Sequence, residues 1–533
     1  MNKLSVMRTV SEGIAMGKVF CVKKSSLKPD TYMVQDESLE LDKLKCAIQE
    51  ASVELKKLAT ENDIFSAHLE IANDKALYEA IRCLIEKNHL NVQVALCEVT
   101  QKFIAVFDTI DDEHMRERAA DIKDVRNRLM CQLKNQKSNP FNEIKEGVIV
   151  VARDLTPSDM AMIDLNYVLG IVTKEGGITS HVSIMAKNIG LPALVGVSEI
   201  LSSVAEEDYL IMDAGAGIII VNPSPEEITE YTEKRKQQEL QQLTYQKSVK
   251  LPARTIDGCE VQVHVNVDRI EEIKQIVEKG QRGVGLFRSE FLYMDNSHFP
   301  TEEEQLRVYK EAAILCTDEL TIRTLDVGGD KKLSYFEFDK EKNPFLGWRA
   351  IRICLDMKQM FKTQLRAILR ASVFGNIKVM FPMIISIEEL VEAKNLLEAC
   401  KKELIAESIA FDEHIEVGMI IETPASVILA DHFAKEVDFF SIGTNDLTQY
   451  ILAVDRENTK IAAKYNPFHP AVIASIQMVI EAGHRAGIPV GMCGEMASSP
   501  DAIEMLIRMG LDEFSVAASC VARVKYQIQN MTL

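Results

Sequence analysis

The chain has 533 residues and a formal net charge of −19, with 47% hydrophobic and 26% charged residues. This length exceeds what one hydrophobic core supports and predicts at least two domains, and the balanced composition is typical of a globular protein rather than a disordered one. The negative charge disfavours nucleic acids and membrane surfaces as partners, because both are polyanions that bind basic patches.

The first predicted element is a β-branched run bounded by glycines, residues 13–22. No glycine then occurs between Gly17 and Gly147, which predicts a long helical region. Within it, four stretches repeat apolar residues at i, i+3, i+4 and i+7: residues 39–59, 74–88, 93–110 and 117–133. We therefore expect a bundle of four amphipathic helices.

Strand-like runs return after the helical region, at residues 147–155, 167–177 and 209–223. Together with the first run they predict a small α/β domain formed by residues 1–25 and 145–223, with an all-α domain of residues 26–144 inserted into it. Residues 224–250 are charged and rich in glutamine, with few apolar positions. They predict a helical linker.

The remaining residues, 251–533, alternate short apolar runs with helical patterns. Seven strands are predicted, at residues 259–267, 282–290, 319–327, 377–384, 415–424, 438–447 and 488–496, and an eighth is placed near residues 343–352. Repeated βα units over this length favour a parallel (β/α)8 barrel, or TIM barrel, with a doubly wound sheet as the alternative.

Chemically active side chains follow the predicted barrel strands, where the site of such a barrel lies. They are Asn266, Arg288, Glu290, Arg323, Asp326, Glu422, Asn445, Asp446, Cys493 and Glu495. Glu422 and Asp446 are suited to Mg²⁺. Arg288 and Arg323, with Arg456 further along, offer planar forks for phosphate and carboxylate groups. The set predicts a small anionic substrate that carries phosphate, and salt bridges at the barrel rim are the alternative.

His181 stands at the start of a predicted helix, after Gly176, Gly177, Thr179 and Ser180. Unpaired N–H groups and the positive end of the helix dipole would stabilise a phosphoryl group carried by its imidazole. Imidazole is also a good nucleophile near neutral pH. The alternative is a histidine that caps the helix or fills a core.

The stretch around this histidine, GGITSHVSIMAKNIGLPALVG, resembles the phosphohistidine signature of Enzyme I of the phosphotransferase system. Further stretches resemble the second half of that family: GVGLFRSEFLYMD, TLDVGGDK, NPFLGWRAIR, VMFPMI, ETPAS, DFFSIGTNDLTQY, AVDREN, YNPFHPAV, GMCGEMA and GLDEFSV. The likeness runs from residue 11 to about residue 516. It implies a swivelling phosphohistidine domain with a helical insert, followed by a barrel that binds phosphoenolpyruvate (PEP).

The resemblance also implies roles for individual residues. PEP would phosphorylate His181 and leave as pyruvate, with Cys493 as the proton donor. Arg288, Arg323, Asn445, Asp446 and Arg456 would bind PEP, and Glu422 and Asp446 would hold Mg²⁺. The helical insert would dock the carrier protein HPr, with residues 116–129 as the strongest segment, and the barrel would form a homodimer.

The end of the chain departs from the family, which usually continues for a few dozen residues beyond ASCVARVKYQIQNMTL (518–533). We therefore expect changes in the last packing helices and in the dimer contact. This departure also suggests the alternative of a regulatory paralogue that senses PEP with weak catalysis. A PEP synthase or dikinase is disfavoured, because no glycine-rich loop for ATP precedes residue 140.

The cellular compartment and the branch of the phosphotransferase system are predicted from sequence motifs that are absent. Its 11 cysteines have no regular spacing or CxxC pair, and no apolar run approaches a membrane span of about 18 residues. A cytoplasmic protein is expected. No sensory domain precedes the resemblance, which favours the sugar-uptake branch over the nitrogen branch.

Overall fold

The structure is a computed structural model. It describes residues 3–5, 9–22, 27–34, 36–59, 64–108, 113–136, 141, 144–177, 181–329, 331, 333, 335–456, 458 and 460–533. The chain divides into two compact units, residues 1–238 and 239–533. In the described residues, no helix combines the length and apolar character that crossing a membrane requires.

Among its described residues, the helical part of the first unit contains five helices: α1 (Glu37–Leu58), α2 (Ile64–Ala72), α3 (Lys75–Asn88), α4 (Val92–Asp108) and α5 (Glu113–Leu133). Their apolar faces enclose a core that includes Leu44, Leu55, Ile81 and Leu96, all fully buried. The predicted number of four helices is wrong because α2 was missed. This helix has only nine residues, too few to show a clear helical repeat.

The rest of the first unit is an eight-stranded sheet with short helices. Its elements are β1 (Lys3–Ser5), β2 (Thr9–Ser11), β3 (Ile14–Cys21), β4 (Val148–Ala152), α6 (Pro157–Ala161), β5 (Val168–Thr173), α7 (His181–Asn188), β6 (Ala193–Leu194), α8 (Ile200–Ser203), β7 (Tyr209–Asp213) and β8 (Ile218–Val221). The strand order is β1-β8-β7-β3-β4-β5-β6-β2, and β3 to β6 are parallel neighbours. Helix α9 (Pro225–Ser248) follows the sheet.

The second unit is a closed barrel of eight parallel strands, β10 to β17, as predicted. Its elements are β9 (Ala253–Arg254), β10 (Glu260–Val267), α10 (Ile270–Glu278), β11 (Val284–Arg288), α11 (Glu290–Met294), α12 (Glu302–Leu315), β12 (Leu320–Arg323), α13 (Ile351–Asp356), α14 (Lys358–Ala371), β13 (Ile377–Phe381), α15 (Ile387–Ala406), β14 (Glu416–Ile421), α16 (Pro424–Ile428), α17 (Ala430–Phe433), β15 (Phe439–Ile442), α18 (Thr444–Leu452), α19 (Pro470–Ala486), β16 (Val490–Met492), α20 (Pro500–Arg508), β17 (Glu513–Ala517) and α21 (Val521–Gln529). The pairing of β10 with both β11 and β17 closes the barrel.

The predicted position of the eighth strand, near residues 343–352, is wrong. That segment contains a short 3₁₀ turn at Pro344–Leu346, and Ala350 has a φ of 51°. The eighth strand is instead β17, which lies between β16 and β10. A closed barrel requires a strand between β16 and β10, and the short run Glu513–Ala517 forms it.

Helix α21 packs against α20, β9 and β10. Val521, Val524 and Ile528 are buried on its inner face. The Lys525 ammonium donates a hydrogen bond of 2.7 Å to the Val249 carbonyl oxygen. Apolar burial and this bond fix the last helix to the start of the same unit.

Candidate functional site

A cavity of about 540 Å³ opens at the carboxyl ends of the barrel strands. All seven barrel residues predicted to bind substrate or metal, or to donate a proton, line it: Arg288, Arg323, Glu422, Asn445, Asp446, Arg456 and Cys493. They come from five different strand ends or from the loops that follow. Parallel packing brings these ends to one face of the barrel, which explains why residues far apart in sequence meet here.

Arg323 at the end of β12 is held by two buried carboxylates. Its guanidinium contacts Glu290 and lies 3.2 Å from an Asp326 oxygen. Burial would raise the pKa of Glu290, but Arg323 and Lys331 outweigh this effect and hold that pKa below its usual value. Both partners are therefore charged at neutral pH. The network positions a permanent cation at the cavity wall.

Two further cations in the cavity were not predicted. The Lys331 ammonium lies 2.7 Å from Glu290 Oε1 and 3.1 Å from Asp326 Oδ2. Arg349 donates to Asp326 Oδ1 at 3.0 Å and lies 3.5 Å from Asp446 Oδ2. Both residues occur in stretches that carry the resemblance, TLDVGGDK and NPFLGWRAIR. Lys331 lies four residues beyond the predicted strand 319–327, and Arg349 lies within the segment near residues 343–352 that was expected to form a strand, so the rule based on strand ends missed both.

Glu422 is a nearly fully buried carboxylate that lies close to other carboxylates. Burial, followed by the charges of Asp446 and Asp326, raises its pKa to about 8, and this outweighs the opposite effect of the nearby arginines. Its Oε1 accepts a 2.7 Å hydrogen bond from the Met383 N–H group. A divalent cation would relieve the repulsion between Glu422 and Asp446, so this carboxylate pair fits Mg²⁺.

Cys493 follows β16 and forms part of the apolar wall of the cavity. Its side chain packs with Leu286, Met380, Ile420 and Phe439. Burial raises the pKa of the thiol to about 11. The thiol therefore keeps its proton at neutral pH. A protonated thiol can act as a proton donor, whereas a nucleophilic cysteine would have to be a thiolate.

Asn266, at the end of β10, does not line the cavity. Its amide nitrogen donates a 3.1 Å hydrogen bond to the Cys493 carbonyl oxygen, and its amide oxygen accepts a 2.6 Å bond from the Ser515 hydroxyl. It thus supports the backbone that carries the thiol.

The other predicted ligands differ in how firmly they are held. Asn445 Oδ1 accepts a 3.0 Å hydrogen bond from the Glu495 N–H group. Arg288 is about one third exposed and lies 3.1 Å from Asp268. The Asn445 side chain is therefore fixed, whereas Arg288 has room to turn toward a ligand.

His181 is the first residue of α7 in the first unit. Its side chain, and the predicted neighbours Thr179 and Ser180, lie outside the described residues. Gly176 has a φ of 110°, which favours glycine, and the Ser183 hydroxyl donates a 2.7 Å bond to the Gly177 carbonyl oxygen. The Ser183 side chain of α7 is thus tied to the glycine pair that precedes His181 in the sequence.

Models of PEP-utilising enzymes match most of the chain. The N-terminal model matches residues 8–118, the mobile-domain model residues 144–217 and the PEP-binding-domain model residues 242–533. These matches cover both the segment from β5 to α7 that contains His181 and the whole barrel.

Similar proteins bear one shared description. Phosphoenolpyruvate-protein phosphotransferase of Geobacillus stearothermophilus is 43% identical over 98% of this chain and 92% of its own length. That of Haemophilus influenzae is 43% identical over 98% of this chain and 93% of its own length. A solution structure of Enzyme I is 33% identical, covers 44% of this chain and 100% of its own, and has a TM-score of 0.41. By the likeness to the two full-length relatives, this chain belongs to the phosphoenolpyruvate-protein phosphotransferase family.

Proposed function

We propose that this chain transfers the phosphoryl group of PEP to His181 and then to the carrier protein HPr, as the first step of sugar uptake. The observation that supports this most directly is the barrel cavity. It combines arginine forks, a repelling carboxylate pair and a protonated thiol. These are the groups needed to bind PEP, to accommodate a divalent cation and to protonate the product.

The cations of the cavity are the proposed ligands of PEP. Arg288, Arg323 and Arg456 bind its phosphate and carboxylate groups, and Asn445 and Asp446 line the site beside them. Arg323 is fixed by Glu290 and Asp326, so it loses little freedom when PEP binds. Arg288 and Arg456, which are both partly exposed, complete the set of arginines in the cavity.

Glu422 and Asp446 are the proposed ligands of Mg²⁺. When bound there, the ion would neutralise charge on the oxygens of PEP. The raised pKa of Glu422 supports this assignment, because burial and then the negative charge of Asp446 disfavour the ionised carboxylate in the absence of a cation.

The proposed reaction has two steps, phosphoryl transfer and protonation of the product. Nε2 of His181 attacks the phosphorus in line, and the bond between phosphorus and the enol oxygen breaks. The arginines stabilise the charge that develops on the phosphoryl oxygens. Cys493 then donates its proton to the methylene carbon of the enolate, which gives pyruvate, and the thiolate recovers a proton from water.

The remaining assignments concern the other parts of the chain. The N–H groups at the start of α7 stabilise the phosphoryl group on His181. Residues 1–25 and 145–223 form the phosphohistidine domain, residues 26–144 dock HPr and residues 224–250 act as a linker. Residues 251–533 bind PEP and form a homodimer, and the enzyme works in the cytoplasm.

Radioactive PEP tests the proposal. Incubation of the full chain with ³²P-labelled PEP and Mg²⁺ is expected to give pyruvate and a phosphoprotein that is labile in acid and stable in base. Addition of HPr should move the label to HPr. His181→Ala should abolish labelling, whereas His414→Ala, which removes an exposed histidine of the barrel unit, should leave it unchanged.

The outcomes separate the alternatives. Binding of PEP without pyruvate formation would favour the regulatory paralogue. Labelling that depends on ATP would favour a dikinase.

A further inference from the structure

A second cluster of chemically active side chains lies in the barrel, at the end opposite the PEP cavity. His264 lies on β10, Glu319 immediately precedes β12, and Glu513 is the first residue of β17. These three side chains take no part in the function proposed above. His264 and Glu319 are more than nine-tenths buried, and Glu513 is partly exposed.

The ligand atoms of the cluster converge on one point. Nδ1 of His264 lies 3.2 Å from Oε1 of Glu319 and 3.2 Å from Oε1 of Glu513. One ligand atom from each of the three residues lies within 4.8 Å of the other two. In a tetrahedral zinc site with bonds of about 2.0 Å, neighbouring ligand atoms are about 3.3 Å apart. The two contacts of the imidazole therefore have the length of a tetrahedron edge.

The contacts are not aligned as hydrogen bonds. Among the residues that the structure describes, Nδ1 of His264 and Oε1 of Glu319 have no hydrogen-bond partner. Buried polar atoms of this kind are costly unless something satisfies them. The other oxygen of Glu319 lies 2.9 Å from the Lys378 ammonium, which leaves Oε1 available.

The surroundings provide space and charge for a cation. A Cβ atom added to Gly283 would overlap the His264 ring, and one added to Gly285 would overlap Glu513 Oε1. Glycines at these two positions thus make room for the cluster. Asp318 lies 3.7 Å from the second ring nitrogen, Nε2, which is beyond hydrogen-bond distance but adds negative charge beside the cluster.

We propose that His264, Glu319 and Glu513 form a binding site for a divalent cation of the zinc class. Water supplies the remaining ligand through the partly exposed side of Glu513. The site joins β10, β12 and β17, and so fastens the seam between the first and last strands of the barrel. Its role is stabilisation of the barrel and not phosphoryl transfer.

Zinc alone serves as the probe. The full chain is treated with a chelator and dialysed against low zinc with excess Mg²⁺, which occupies oxygen-rich sites, and bound zinc is counted by mass spectrometry. The wild type should retain one zinc more than His264→Gln and should gain thermal stability from zinc that this variant does not gain. His484→Gln, which removes an exposed histidine paired with Asp512 at 2.9 Å, is the matched control and should behave as the wild type.

Two further substitutions should lower the affinity for zinc to different degrees. Glu319→Gln should lower zinc affinity at least tenfold, and Asp318→Asn, which removes a charge near Nε2 but no ligand, should lower it less. X-ray absorption should show one imidazole with oxygen ligands. If His264→Gln fails to fold by circular dichroism, Glu319→Gln decides the question.

Equal zinc content in wild type and variants, or sulfur among the ligands, would overturn the proposal. The cluster would then be an ion pair between a protonated imidazole and two carboxylates. Labelling of His181 by PEP is a separate readout, so this test and that of the proposed function fail independently.

Discussion

Replacing Glu290 by alanine removes a fully buried carboxylate that contacts both Arg323 and Lys331. The two cations would remain in the barrel with Asp326 as their shared partner, at 3.2 and 3.1 Å. Breaking a buried ion pair by removing one partner costs about 3–5 kcal/mol. Because Asp326 still compensates part of the charge, we expect a loss near the lower limit, about 3 kcal/mol of unfolding free energy.

Glu303→Ala provides the matched control. Glu303 also pairs with an arginine, Arg370, at 2.6 Å, but its side chain is 73% exposed. Ion pairs at the surface contribute about 0–1 kcal/mol because water screens them. The same substitution should therefore cost far less at position 303 than at position 290.

The assay can be confined to the barrel unit. Trp348 is the single tryptophan of the chain and packs beside Phe336 and Phe338 in that unit. Urea unfolding followed by tryptophan fluorescence thus reports the barrel without the first unit. Free energies of unfolding within 1 kcal/mol of each other for Glu290→Ala and Glu303→Ala would refute the reasoning. The proposed role of Arg323 adds a second expectation, a raised KM for PEP in Glu290→Ala alone.

Two further predictions concern other buried groups. The Glu40 carboxylate accepts a 2.8 Å hydrogen bond from the N–H of Val92, the first residue of α4. Glu40→Gln should therefore lower the unfolding free energy of the helical part by about 1–2 kcal/mol, measured by circular dichroism. Glu50→Gln, at an exposed position, is the control and should have no such effect. Burial would raise the pKa of Glu40, but Lys43 and this N–H group lower it below 4.5, so the stabilisation should be complete above pH 4.5 and disappear as the pH falls below it. Cys493→Ala should reduce pyruvate formation at least 100-fold while the affinity for PEP changes little, and an unchanged rate would exclude the thiol as the proton donor.

Much of the barrel was predictable because its strands are short apolar runs that end in polar residues. The seven predicted strands contain β10 to β16, and residues at or just beyond the carboxyl ends of five of them share one cavity. The eighth strand was misplaced because Glu513–Ala517 forms a strand through closure of the barrel and not because its own short pattern indicates one. Arg349 was missed for a related reason, because its segment was expected to form that strand but is a loop between β12 and α13.

The cluster of His264, Glu319 and Glu513 could not be predicted from local pattern. In the sequence, His264 occupies one position of an ordinary strand run, and nearly 250 residues separate it from Glu513. Only the pairing of β10 with β17 brings them together. A site formed where strands distant in the sequence pair with each other has no local sequence pattern by which it could be predicted.

The same seam has a consequence for synthesis on the ribosome. Asn266 of β10 holds the backbone of Cys493 and is itself bound by Ser515 of β17. At elongation rates of about 5–20 residues per second, β10 leaves the ribosome roughly 12–50 seconds before its partner strand does. The nascent barrel therefore passes this time with an open edge, and the enzyme becomes competent only when its last strand has joined its first.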